Sequence, residues 1–237
     1  MTYLPAIEIS SSTQAANASI IWLHGLGASG DDFAALVPEL EKMLGDCFNR
    51  IRFIFPHASK IPVTVNGGYA MPAWYDILEM PINSQGDPSA KSAERQLNQD
   101  QLLASAKDIH LLIDREIERG VNSERILILG FSQGGAVAYH AALTYPQKLA
   151  GLAGLSTYFP TLSAPYSFAP SAANKDIDIQ IYHGTLDPVV NQSLGLKAAR
   201  DLNDLGYSTQ YHDYPMEHQV CYEQVHDIAQ WIQSRLS

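Results

Sequence analysis

The chain has 237 residues, 46% of them hydrophobic and 17% charged, with a formal net charge of −10. Such a length buries roughly 70–75% of the unfolded surface on folding, and the composition excludes a disordered or low-complexity chain. The excess negative charge repels phosphate backbones and anionic lipid, so nucleic acid and bulk membrane surface are not expected as partners.

The opening stretch MTYLPAIEISSSTQAANAS has no basic n-region and no continuous apolar run, so no secretory signal is expected. No apolar run approaches the roughly 18 residues of a membrane span. Cys47 and Cys221 lie far apart and outside any C-x-x-C pattern. Free thiols in a soluble, cytoplasmic protein with no stable membrane insertion are therefore expected.

In chain order, SIIWLHG (Ser19 to Gly25) reads as a buried strand, DDFAALVPELEKML as a helix and IRFIFP (Ile51 to Pro56) as a second strand. An excursion follows over about residues 56–90, rich in Pro, Tyr, Met and Trp, that fits no regular element. Loops beyond roughly 12–15 residues are commonly lids or binding segments, and this composition predicts a packed one. SAERQLNQDQLLASAKDIHLLIDREIERG is a long amphipathic pattern with Leu102, Ala106, Ile109, Ile113 and Ile117 on one face and Gly120 as its stop.

RILILGF (Arg125 to Phe131) then reads as a strand, GGAVAYHAALTYP as a helix and LAGLAGLS (Leu149 to Ser156) as a strand. After a second irregular stretch, Thr157 to Lys175, come the strand IQIYHG (Ile179 to Gly184) and the helix QSLGLKAARDLNDLG. STQYHDY (Ser208 to Tyr214) is a strand nearer an edge, and VCYEQVHDIAQWIQSRL closes the chain as a helix. This alternation predicts an α/β fold with a mostly parallel central sheet and helices on both faces. With no internal repeat and no linker, a single domain over residues 1–237 is expected.

Gly130-Phe131-Ser132-Gln133-Gly134 matches G-x-S-x-G between a buried strand and a helix. There a serine is held in a strained turn, its hydroxyl clear of the sheet and a helix N-terminus beside it. The glycines leave room where side chains would collide with strand and helix. In isolation so short a motif is also a common Gly-rich turn; its setting points to a nucleophile. The chain order Ser, Asp, His then selects Asp187, in IYHGTLDPVV, and His218, in YPMEHQV. Asp187 alone is also readable as a turn or capping residue. His110, His140 and His226 lie in helical patterns, His57 precedes the serine, and His24 and His183 open His-Gly turns where an imidazole braces the loop. Backbone N–H groups of Gln133 and, from WLHGLGASGDDF, of Leu26 are the expected oxyanion donors. A phosphate loop at that position is disfavoured by the absence of G-x-G-x-x-G and of a Walker lysine.

Met71, Trp74, Tyr75, Leu78 and Met80 offer an apolar wall for an acyl chain, with Tyr158 and Phe159 facing them across the serine. The same residues also suit simple packing of the loop onto the domain. Each buried acyl methylene would contribute ~0.8 kcal/mol.

The ordered set LHGLGASGDDF, PVTVNGGYAMPAWYDI, GFSQGGAVA, LSTYFP, HGTLDPVV and YPMEHQV closely resembles bacterial carboxylesterases of the acyl-protein thioesterase/lysophospholipase type, from about Ala18 to Leu236. The resemblance implies an α/β-hydrolase fold with Ser132, Asp187 and His218 as triad and an oxyanion hole from Leu26 and Gln133. It implies hydrolysis of small acyl esters, lysophospholipids or acylated protein, with no metal or organic cofactor. Glu217 departs from the small residue found before the histidine in many relatives. A ligand-binding protein without catalysis and a serine peptidase are the alternatives on this fold. An intact Ser-Asp-His order argues against the first, and only the resemblance disfavours the second. A homodimer is compatible with the sequence, which does not fix the oligomeric state.

Overall fold

In the computed structural model, residues 3–11, 15–79 and 95–237 are described. The chain begins with β1 (Ala6–Ser10), β2 (Ala18–Leu23), α1 (Asp31–Ala34), α2 (Val37–Leu44) and β3 (Ile51–Pro56). Four short strands follow: β4 (Lys60–Val63), β5 (Tyr69–Pro72), β6 (Ile77–Glu79) and β7 (Gln96–Leu97). Then come α3 (Gln99–Glu118), β8 (Ile126–Phe131), α4 (Gln133–Thr144), β9 (Gly151–Leu155), β10 (Ile179–Gly184), α5 (Gln192–Asp204), β11 (Thr209–Tyr214) and α6 (Tyr222–Leu236).

A seven-stranded sheet in the order β1-β3-β2-β8-β9-β10-β11 carries the fold. All neighbours in it are parallel except the edge pair β1 and β3, as the mostly parallel α/β expectation requires. Its central strands are buried on both faces, which is why they read as continuous apolar runs. Alternate residues serve opposite cores. Ile20, Trp22, Phe53, Phe55, Leu127 and Leu129 pack beneath α2 and α6. Ile21, Leu23, Ile54 and Ile128 pack beneath α3, α4 and α5. Along α3, Leu102, Ile109, Leu112 and Ile113 are fully buried, each contributing roughly 2 kcal/mol of apolar transfer.

A charge network ties α3 to the strands beside it. The carboxylate of Glu116, wholly buried, accepts from Ser19 Oγ at 2.8 Å, Arg52 Nη1 at 2.6 Å and Arg119 Nη1 at 3.0 Å. Glu8 on β1 completes it through Arg115 and Arg119. Buried charge is tolerated where it is fully paired in this way.

The structure departs from the sequence expectations at four places. The edge strand β1 was not anticipated. The single helix expected over DDFAALVPELEKML is two, because Pro38 stands in the first turn of α2 and begins a new helix there. The helix expected from SAERQ starts at Gln99, where the Asn98 side chain caps Gln101 N–H. Gln96–Leu97 pairs with Ile77–Glu79 instead. Finally, the excursion does contain regular structure. Gly67 and Gly68, at φ +68° and +77°, turn the chain so that β4 and β5 pair antiparallel from Lys60↔Pro72 to Val63↔Tyr69. Residues 80–94, with Met80 and the remainder of the excursion, lie outside the described residues.

Neither cysteine forms a disulfide. Cys47 lies beside Ser237 at the end of α6, whereas Cys221 caps its start, so a helix of about 22 Å separates them. Among the described residues no helix is long and apolar enough to cross a membrane.

Candidate active site

Strand β8 ends in Phe131, and the chain turns through Ser132 at φ 52°, ψ −120° before α4 begins. A non-glycine residue at positive φ is strained, and the surroundings hold it there. Ser132 N–H donates to Leu155 O at 2.8 Å, and Thr157 Oγ1 donates to Ser132 O at 2.6 Å. The flanking glycines have no space for a side chain: a Cβ on Gly130 would stand 2.4 Å from Gly134 O, and one on Gly134 2.4 Å from His24 O.

Because β8, β10 and β11 are parallel strands of one sheet, the loops that follow them open on the same edge. The loop after β10 carries Asp187 and the loop after β11 carries His218. His218 Nδ1–H donates to Asp187 Oδ2 at 2.7 Å, which leaves Nε2 to accept from Ser132 Oγ–H at 3.0 Å. The other carboxylate oxygen, Oδ1, accepts the Val189 and Val190 N–H groups, each at 2.8 Å. Burial works to raise the Asp187 pKa. The His218 hydrogen bond and the two backbone donors outweigh it, and the pKa lies below its ordinary value. The structure thus brings the three residues chosen from chain order together, with the imidazole ring packed on Phe131 at 4.8 Å.

Among the described residues, the Leu26 and Gln133 N–H groups donate to no backbone acceptor in the turns and loops. Around Leu26, the next residue donates from Gly27 N–H to Pro72 O at 2.8 Å. His24 holds the turn from within: Nδ1–H donates to Gly25 O at 2.7 Å and Nε2 accepts Ala58 N–H at 3.1 Å. His183 does the same for the acid loop, donating from Nε2 to Val190 O at 2.7 Å. Burial lowers both imidazole pKa values and keeps the rings neutral.

Among the residues expected to form an acyl wall, Trp74, Tyr75, Tyr158 and Phe159 are buried, Met71 is half-buried and Leu78 is exposed. Trp74 and Tyr75 are 3% and 0% exposed, and their backbone holds the Gln133 amide: Trp74 N–H donates to Oε1 at 2.9 Å, and Nε2 donates to Tyr75 O at 2.7 Å. The Trp74 indole donates to His24 O at 2.8 Å, and the Tyr75 and Tyr158 hydroxyls share a hydrogen bond of 2.6 Å. Met71 is half-buried and borders Gly27. Leu78 is exposed. Phe159 packs on His140 and edge-on to Phe168, and Glu217 is exposed.

Two depressions involve residues singled out above, and one of them reaches the triad. Tyr158 and Phe159 line one together with Arg95, Leu97 and Leu194. His218 and Phe131 line the other with Phe33, Leu36 and Val220. The sequence reading missed Thr157, the Gln133 side chain and Arg95. Thr157 and Gln133 adjoin motif residues, and only their contacts reveal them. Among the described residues no group of three or more His, Cys, Asp or Glu side chains is arranged to hold a metal ion.

Residues 4–236 match the Phospholipase/Carboxylesterase family. Acyl-protein thioesterase 1 of Neurospora crassa is 37% identical over 222 residues, covering 92% of this chain and 87% of that protein. Its namesake from Schizosaccharomyces pombe is 40% identical over 185 residues, covering 78% and 75%. Among solved structures, Arabidopsis thaliana SOBER1 superposes with a TM-score of 0.79 at 32% identity, covering 94% of this chain and 100% of that one.

Proposed function

The chain belongs to the phospholipase/carboxylesterase family and is a serine hydrolase, and on that premise we propose that it removes acyl groups from acylated protein by thioester hydrolysis through an acyl-enzyme on Ser132. Lysophospholipids and small esters are the oxygen-ester substrates of the same chemistry. The observation that carries the reading is the continuous hydrogen-bonded line from Ser132 Oγ through His218 to Asp187. The names of the fungal relatives support the thioester substrate.

In this reading His218 Nε2 takes the Ser132 proton as Oγ attacks the acyl carbonyl, while Asp187 fixes the tautomer and stabilises the imidazolium. Leu26 and Gln133 N–H groups receive the oxyanion, with the N-terminus of α4 behind them. The imidazolium returns its proton to the departing thiol or alcohol. Water then attacks the acyl-enzyme with His218 as base, which regenerates Ser132. The free thiols support action in a reducing compartment such as the cytoplasm.

The test measures release of fatty acid from an S-hexadecanoyl peptide and from a lysophosphatidylcholine, by wild type and Ser132→Ala. The expected result is turnover of the thioester that falls by at least about 10³-fold in the variant. A wild type no faster than the variant on both substrates would overturn the proposal.

A further inference from the structure

Proton return fixes where the leaving group begins. The departing sulfur or oxygen must lie within hydrogen-bond reach of His218 Nε2 to receive its proton, so the rest of that group extends over the side of the site that the imidazole walls. A depression of about 430 Å³ opens there, within the roughly 300–1,000 Å³ of ligand clefts. Among the described residues, His218 and Phe131 line it together with Phe33, Leu36 and Val220. Its other polar members, Asp32 and Gln219, are exposed. A ladder of rings joins it to the triad. The Phe131 ring lies 4.8 Å from the His218 imidazole and 5.7 Å from the Phe33 ring, centroid to centroid. A Cβ on Gly25 would stand 3.2 Å from the Phe131 ring and 3.4 Å from Ser132 Cβ, so that ring and the nucleophile face the same turn.

Leu36, Phe131 and Val220 are half-buried, so apolar surface remains open to water beside a catalytic imidazole, and an apolar group that covers it gains free energy. The Asp32 carboxylate at the exposed margin opposes a second anion. A glycerophosphocholine leaving group brings a phosphodiester and little apolar surface, whereas a polypeptide brings apolar side chains. Resting on the reading of Ser132 as nucleophile and of acylated protein as substrate, we infer that this depression is the leaving-group subsite and takes an apolar side chain next to the acylated cysteine. Leu36 and Val220 then select among acylated sequences, not among acyl chains.

The experiment measures kcat/KM for S-butanoyl and S-octanoyl peptides Gly-Gly-Cys-Gly-Gly and for their analogues with Leu directly before or directly after the cysteine. Lysophosphatidylcholine is assayed alongside, and the enzymes are wild type, Leu36→Asn and Val220→Thr. Asn suits the start of α2, where Leu36 stands, Thr keeps the shape of Val, and a ratio of two substrates cancels any general loss of folded enzyme. At one of the two positions Leu is expected to exceed Gly by about fivefold or more. That ratio should fall at least about threefold in one or both variants, equally with either acyl chain. A ratio at or below unity at both positions overturns the inference, as does a ratio unchanged in both variants. It is overturned equally if the variants change the octanoyl-to-butanoyl preference instead, which assigns the depression to the acyl chain, or slow lysophosphatidylcholine alone, which assigns it to a phospholipid. If wild type hydrolyses no peptide faster than Ser132→Ala, the reading beneath the inference fails first, and turnover of lysophosphatidylcholine then tells a wrong nucleophile from a wrong substrate class.

Discussion

The backbone N–H of Trp74 donates to Gln133 Oε1 at 2.9 Å, so the residue after the nucleophile grips the excursion that follows β3. Its backbone N–H is the proposed oxyanion donor, and its side chain, 2% exposed, bonds both Trp74 and Tyr75. Gln133→Ala leaves a buried N–H and a buried carbonyl unpaired, at a cost of about 2–4 kcal/mol. At about 2–4 °C per kcal/mol for a chain of this size, calorimetry should show Tm lower by roughly 5–15 °C. The backbone donor survives, so ester kcat should fall less than in Ser132→Ala when both are assayed well below the transition.

Asp187→Asn keeps the shape of the acid loop but reverses the hydrogen-bond logic at Oδ2, because an amide nitrogen there donates toward His218 Nδ1. The imidazole then carries its proton on the wrong nitrogen to accept from Ser132. A loss in kcat of the order of 10⁴ is expected, with KM little changed. A loss below tenfold would show that Asp187 does not set the tautomer.

Acid should destabilise the protein in two steps. His140 is buried in α4, its pKa pushed down from 6.5 to about 4 by desolvation, against the hydrogen bond to Pro160 O. The fold favours the neutral ring, so this contribution is complete above pH 6.5 and is lost as pH falls toward 4. It is worth at most about 3 kcal/mol. His24, His110 and His183 are lowered in the same direction. Asp187 is lowered from 3.8, so its contribution holds above that value and is lost only as pH falls through the lowered one. Tm measured across this range should begin to fall below pH 6.5, and His140→Gln should flatten the slope between pH 6.5 and 4. An unchanged slope would contradict the assignment.

Much of this was legible in the residues. Five strands of the main sheet announce themselves because burial on both faces leaves uninterrupted apolar runs, and the triad follows from one motif and a fixed chain order. β1 was not legible: AIEIS is short and half-exposed, and only pairing with β3 makes it a strand. The β4–β5 turn was overlooked although Asn66-Gly67-Gly68 is a turn signal, because the Pro and aromatic content around it masks alternation. Trp74 and Tyr75 look like an acyl wall by composition. Their burial comes from contacts with His24, Gln133 and Tyr158 that join distant parts of the chain. Arg95, in a run that reads as a helix start, gives no hint in sequence of the Tyr158 ring beneath it.

The central claim, that Ser132 carries the acyl group, is tested most directly by labelling with a fluorophosphonate, in which a serine Oγ displaces fluoride and bonds to phosphorus. Mass spectrometry of the digested protein should find the phosphonyl group on the peptide bearing Ser132, with ester hydrolysis lost in proportion to its occupancy. Complete labelling of Ser132 with hydrolysis intact, or inhibition with the label on another residue, would contradict the account.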